Sequence, residues 1–219
     1  AGETVGANPG KLLVLFRVAG VMPRLGRSTA GLTSTGAPLA PDKDGDMADK
    51  EHLLSDEEVQ RFIVDGYTTV QVGFPTPVHD EICQKVDEVF EKEGNVGNNL
   101  LPRVPEIQLV FDHPAVRGAL TSLLGPEYIM NPHRHGHLNP PGGKGGGWHK
   151  DCYVFDHNIR QPRFHWILAL YYPQDVTEEM GPTAVLPRRQ NYDLISDADP
   201  AKTTEDAVPI VGPAGTIAL

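Results

Sequence analysis

The dominant period of the apolar residues in this chain changes at Gly125, and that change limits the folds open to it. Before Gly125 they recur at helical spacing between recognisable caps. Ser55-Asp56-Glu57-Glu58 has the form of a capping box, with Ser at the N-cap and Glu three residues on. Val59, Phe62 and Ile63 follow as one predicted helical face, and Gly66 supplies the stop. "YTTVQVGF" then alternates as a strand does. Thr76-Pro77 opens a second helix with Pro in its first turn. Val78, Ile82, Val86, Val89 and Phe90 form its stripe, and Gly94 ends it. Pro114 opens a third helix, closed by Gly125.

Beyond Gly125 the runs are short and β-like: "EYIMN", "HGHLN", "CYVFD", "RFHWILALYY", "TAVLP", "VPIVG" and "TIAL". Gly/Pro-rich or polar turns separate them. Helices first and many short strands afterwards predict an α+β domain, mostly β with flanking helices. Such strands pack as a sandwich, jelly roll or barrel. No internal repeat is present.

The 219 residues fit one domain of ordinary size, or one domain with an appendage. Residues 1–46 are rich in Gly, Ala, Ser, Thr and Pro, with one short apolar run, "LLVLF". They read as a disordered or non-native leader, and residues 47–219 as the domain, opened by "MADKEHLLSDEEV". The formal net charge of -10 argues against non-specific binding to nucleic acid or anionic membranes, both of which need clustered Lys and Arg. No apolar run approaches the roughly 20 residues of a spanning helix. Two cysteines, Cys83 and Cys152, make neither a disulfide framework nor a zinc spacing. A reducing compartment, the cytoplasm, is the expected location.

"GGGWHKDCYVF", Gly145 to Phe155, raises the question of function. Nine His and sixteen Asp in 219 residues give about 0.7 His-x-Asp triplets by chance, so the single one here is no evidence by itself. Its setting matters more. On a strand, residues i and i+2 share a side, so His149 and Asp151 would face together. An imidazole and a carboxylate so placed are two of the three ligands of a 2-His-1-carboxylate site for non-haem Fe(II). A His/Asp pair hydrogen-bonded at a strand start is the plainer alternative.

Three segments, in order, resemble the phytanoyl-CoA dioxygenase family of Fe(II)/2-oxoglutarate oxygenases. They are "LSDEEVQRFIVDGYTTV" (Leu54 to Val70), "WHKD" (Trp148 to Asp151) and "DVTEEMGPTAVLPRRQ" (Asp175 to Gln190). The resemblance covers about residues 50 to 219. It implies a double-stranded β-helix, the cupin-like jelly roll, with helices packed outside. It implies Fe(II) held by His149, Asp151 and a second, later histidine, 2-oxoglutarate as cosubstrate, and O2. The reaction implied is hydroxylation of a C–H bond of a small organic or acyl substrate, with decarboxylation of 2-oxoglutarate to succinate. The family's distal histidine lies on a strand after one like "GTIAL", followed by an arginine. No histidine follows His165 in this sequence. The resemblance therefore implies a fragment of an active oxygenase or a natural pseudo-enzyme. Either way these residues alone are expected to bind iron weakly and turn over little.

Other residues bear on the same site. His133, His135 and His137 alternate in "HRHGH" and would share one strand face. They could form a zinc or iron site of their own, line the oxygenase pocket, or be polar strand surface. His135 and His137 are the pocket-facing choices, with Asn139 a third. Trp148 and Trp166 could pack against cosubstrate or simply fill the jelly roll. Arg103 could reach the cosubstrate from the helical side or be surface charge. Arg188-Arg189 could form a solvated turn or a basic rim for an anionic substrate. "PPGGKGGG" lacks the Gly-Lys-Ser/Thr ending of a phosphate loop and reads as a flexible connection or a lid. Two rival functions remain open: a non-catalytic jelly-roll binding module, and a cupin-like metalloenzyme built on the His133/His135/His137 cluster. The expected partner is a small molecule.

Overall fold

The computed structural model describes residues 11–19, 50–139, 148, 166–189 and 205–219. Four helices precede most of the sheet. Helix α1 (Asp56–Asp65) begins with the expected capping box: Glu58 N–H donates to Ser55 Oγ at 3.3 Å, and Ser55 N–H donates to the Glu58 carboxylate at 2.8 Å. Gly66 ends the helix in the left-handed region, φ 83°, a conformation glycine adopts without steric cost. Only Phe62 of this helix is buried. Ile63, expected on the same face, is 54% exposed, because α1 lies on the surface and buries a narrow stripe that Ile63 misses by one residue's turn.

Helix α2 (Thr76–Glu93) is the central one. His79, Ile82, Val86 and Val89 are buried at spacings of three and four, the period of one helix face. A short helix α3 (Ile107–Asp112), not foreseen from the sequence, buries Ile107, Val110 and Phe111. Helix α4 (Pro114–Leu124) is capped by His113, whose Nδ1 accepts from Ala115 N–H at 3.2 Å. The 3-10 turn Lys50–His52 lies against α4 at Gly118, where a Cβ would stand 2.1 Å from the His52 carbonyl oxygen. Only a residue without a side chain permits that approach.

The strands are β1 (Lys11–Ala19), β2 (Thr69–Gln71), β3 (Ile129–Asn139), β4 (Trp166–Tyr171), β5 (Ala184–Val185), β6 (Val208–Pro209) and β7 (Thr216–Ala218). Five of them form one sheet in the order β2-β7-β4-β1-β3, every neighbouring pair antiparallel. Strands β5 and β6 form a separate pair. "EYIMN" and "HGHLN", expected as two strands, lie on the single strand β3. Within the stretch read as a leader, Lys11–Ala19 forms β1 and sits between β3 and β4.

Alternation along β4 divides the interior in two. Ile167, Ala169 and Tyr171 face the helices and join Val14, Ile82, Val86, Ile107, Leu120 and Ile217 in the larger core. Leu168 and Leu170 face the other way. Leu170 packs with Tyr172, Val176, Ile210 and Ala218 in a second core under β5 and β6. The large sheet thus has a helical layer on one face and the smaller sheet over part of the other. Helices outside antiparallel sheets agree with the expected α+β class at that coarse level.

Candidate functional site

The sheet face turned away from the helices collects several of the residues singled out by sequence. The register fixes this. Val14 pairs with Gly136 on β3 and with Tyr171 on β4. Directly opposed residues of a sheet project to the same side, and Val14 and Tyr171 belong to the helix-side core. Gly136 therefore faces the helices too, and a Cβ there would come within 2.7 Å of the Phe90 ring on α2. His135 and His137, one residue to either side, project to the opposite face. Their rings lie 6.0 Å apart, centroid to centroid, at 53°. His135 is half-buried beside the 3-10 turn Gly97–Asn99, and His137 is exposed.

Trp166, the first residue of β4, alternates with Leu168 and Leu170 onto that same face and is 43% exposed. Trp148 is 42% exposed and belongs to no described element. Asn139 is the last residue of β3 and pairs with Lys11. His149, Asp151, Cys152 and the run "CYVFD" lie outside the described residues. The His133 side chain lies outside them as well. Among the described residues, no three His, Cys, Asp or Glu side chains gather as a metal site. Trp166 shares the sheet face of His135 and His137 at the Ala19 level of β1, and the two histidines stand at the Leu15 and Leu13 levels.

The arginines go elsewhere. Arg103 donates to Glu93 at 2.7 Å on the helical side. Arg188, with φ 65°, donates through its backbone N–H to the Asp65 carbonyl at 3.0 Å and through Nε to the Asp65 carboxylate at 3.4 Å. Arg189 pairs with Asp206 at 3.3 Å. Arg188 and Arg189 therefore tie the segment after β5 to α1 and to the approach to β6, each with a carboxylate partner.

Sequence reasoning missed a buried polar pair behind the sheet. His79 is 2% exposed, and its Nδ1 lies 2.6 Å from the Tyr171 hydroxyl. Burial pushes the Tyr171 phenol well above its usual range, so it keeps its proton and can donate to Nδ1. Burial also lowers the His79 pKa, against the opposing pull of the Val72 carbonyl, the Asp80 charge and the Phe74 carbonyl. Among the described residues Nε2 has no partner at hydrogen-bonding geometry. Nearby, burial raises the Cys83 thiol to about 11, with Asp87 and Asp80 adding to it. That keeps the sulfur neutral and unreactive. The signal for His79 was present: it precedes Ile82 by three and Val86 by seven residues, on the apolar stripe of α2. The pair faces the helices, so it supports the sheet from behind and stands apart from the His135/His137 face.

A family model for phytanoyl-CoA dioxygenase matches residues 42–219. No curated protein and no solved structure matches the chain.

Proposed function

The chain belongs to the phytanoyl-CoA dioxygenase family, and from that premise we propose that it is built for Fe(II)/2-oxoglutarate-dependent oxygenation of a C–H bond in a small organic or acyl substrate. The family match over residues 42–219 carries this reading. The family-level statement is an oxygenase of cupin or jelly-roll fold; the closed double-stranded β-helix and the particular reaction are proposed here. His149 and Asp151 would hold Fe(II), as neutral imidazole and carboxylate, the ligand types that suit this metal. Iron, when bound, supplies the redox chemistry that couples O2 and 2-oxoglutarate to hydroxylation.

The chain's own residues do the rest. His135 and His137 project to the sheet face turned away from the helices, where they would donate to cosubstrate oxygens. Asn139 would extend that row. Trp166, from the same face, and Trp148 would supply flat apolar surface that excludes water from one side of the cosubstrate. The Arg188 and Arg189 guanidiniums, each paired with a carboxylate, do not form an anion rim in this reading.

Anaerobic titration with Co(II), a spectroscopic stand-in for Fe(II), tests the assignment. Uptake is expected to be weak, because this reading names two protein ligands, and to tighten when 2-oxoglutarate is added. His149→Ala and Asp151→Ala should each abolish it. His135→Ala should leave metal uptake and weaken the 2-oxoglutarate effect. Metal binding that survives His149→Ala and fails in His135→Ala would move the centre to the β3 histidines and sink the proposal.

A further inference from the structure

Among the described residues, strand β3 meets the sheet through one neighbour. Among the described residues its pairing is with β1 alone, in a register running from Lys11↔Asn139 to Ala19↔Ile129. The other edge of β1 pairs with β4, from Val14↔Tyr171 to Ala19↔Trp166. The strand that joins these two lies outside the family-matched residues 42–219. Its sequence suits an interior position. "KLLVLFRVA" is apolar throughout one parity, Leu12, Val14, Phe16 and Val18, and at Leu13, Leu15 and Ala19 of the other, where Lys11 and Arg17 are the charged members. Such a run belongs to a strand covered on both faces. Val14 is fully buried in the helix-side core. Ala19 and Lys50 are thirty-one positions apart in sequence, so no tight turn dictates where β1 must insert. An extended, mostly apolar segment with backbone pairing on both edges is the chemistry of strand addition.

We propose that the gap between β3 and β4 is a strand-binding slot, that Lys11–Ala19 is the ligand filling it from within the same chain, and that this segment holds β3, with His135 and His137, on the same sheet as β4. The slot itself rests on the pairing. Its bearing on the site rests on the function proposed above, and the experiment reads the slot without any metal or activity. In the full 219-residue chain, with Cys83→Ser and Cys152→Ser as background, Arg17→Cys and Leu168→Cys are introduced at facing positions of β1 and β4. Opposed residues of an antiparallel pair fall within the Cα separation a disulfide needs. Mild oxidation should give a cross-link within one chain, seen as a reducible mobility shift of the monomer. No cross-link would overturn the proposal, and a cross-link only between chains would overturn it in favour of strand exchange between copies.

A second measurement uses amide exchange in Val14→Asp, which puts a charge where the strand is buried. Exchange across residues 129–139 should quicken at least about tenfold while residues 76–93 keep their protection. Unchanged exchange in 129–139 would overturn the proposal. Should Val14→Asp unfold the whole chain, the cross-link alone decides, since it is measured on folded protein.

Discussion

Single residues here are constrained by what lies behind the sheet. Gly215 has φ +89°, and a Cβ there would stand 2.6 Å from the Val72 carbonyl oxygen and 2.9 Å from His79 Nε2. Both the backbone and the neighbours exclude a side chain. Gly215→Ala is expected to cost about 1–3 kcal/mol, read as a lower denaturant midpoint. His79 makes stability depend on pH. Burial holds its folded pKa below the ordinary 6.5, so the unfolded chain takes up its proton first as pH falls. Stability from this group is therefore level above about pH 6.5 and is lost as pH drops from there towards the folded pKa. Urea midpoints should fall between about pH 7 and 5. His79→Gln, which cannot titrate, should flatten that slope; an unchanged slope would show that the carboxylates alone produce it.

At the scale of elements, caps and stripes set the helices. The Ser55/Glu58 box satisfies two N-terminal N–H groups of α1 that would otherwise lack partners. Ser55→Ala should lower stability by about 1 kcal/mol. The α2 stripe is stronger. Ile82 is fully buried, and Ile82→Ala should cost about 2–5 kcal/mol through lost burial and the cavity left behind. The strands were less legible. "YTTVQVGF" yields the strand Thr69–Gln71 opposite Thr216–Ala218 of β7, with hydrogen bonds running one residue further at each end, Thr68 with Leu219 and Val72 N–H to the Gly215 carbonyl. Alternation shows which residues share a face, but the neighbour decides how many of them become strand.

At the scale of the molecule, one core joins helices and sheet. Residues of α1, α2, α3 and α4 pack with Val14, Ile167, Ala169, Tyr171 and Ile217 in a single cluster. Unfolding should therefore be cooperative, with far-ultraviolet dichroism and tyrosine fluorescence giving coincident denaturant curves. Ile82→Ala should shift both curves together; a shift in the helical signal alone would show that the layers unfold separately.

Local physics is what the sequence by itself determined. Ser55, Gly66, Pro77, Gly94, Pro114 and Gly125 place helix ends because capping and dihedral preferences act within a few residues. The period change at Gly125 gave the class, and the ordered motifs pointed to the family that the match over residues 42–219 bears out. The tertiary structure decided everything that depends on which surface meets which. It put Ile63 in solvent and His79 in the core, since period alone does not say how wide a buried stripe is. It paired Arg188 with Asp65 across 123 positions. It inserted Lys11–Ala19 between β3 and β4. It also turned His135, His137 and Trp166 to one sheet face, because a strand's register is fixed by its neighbours and not by its own residues.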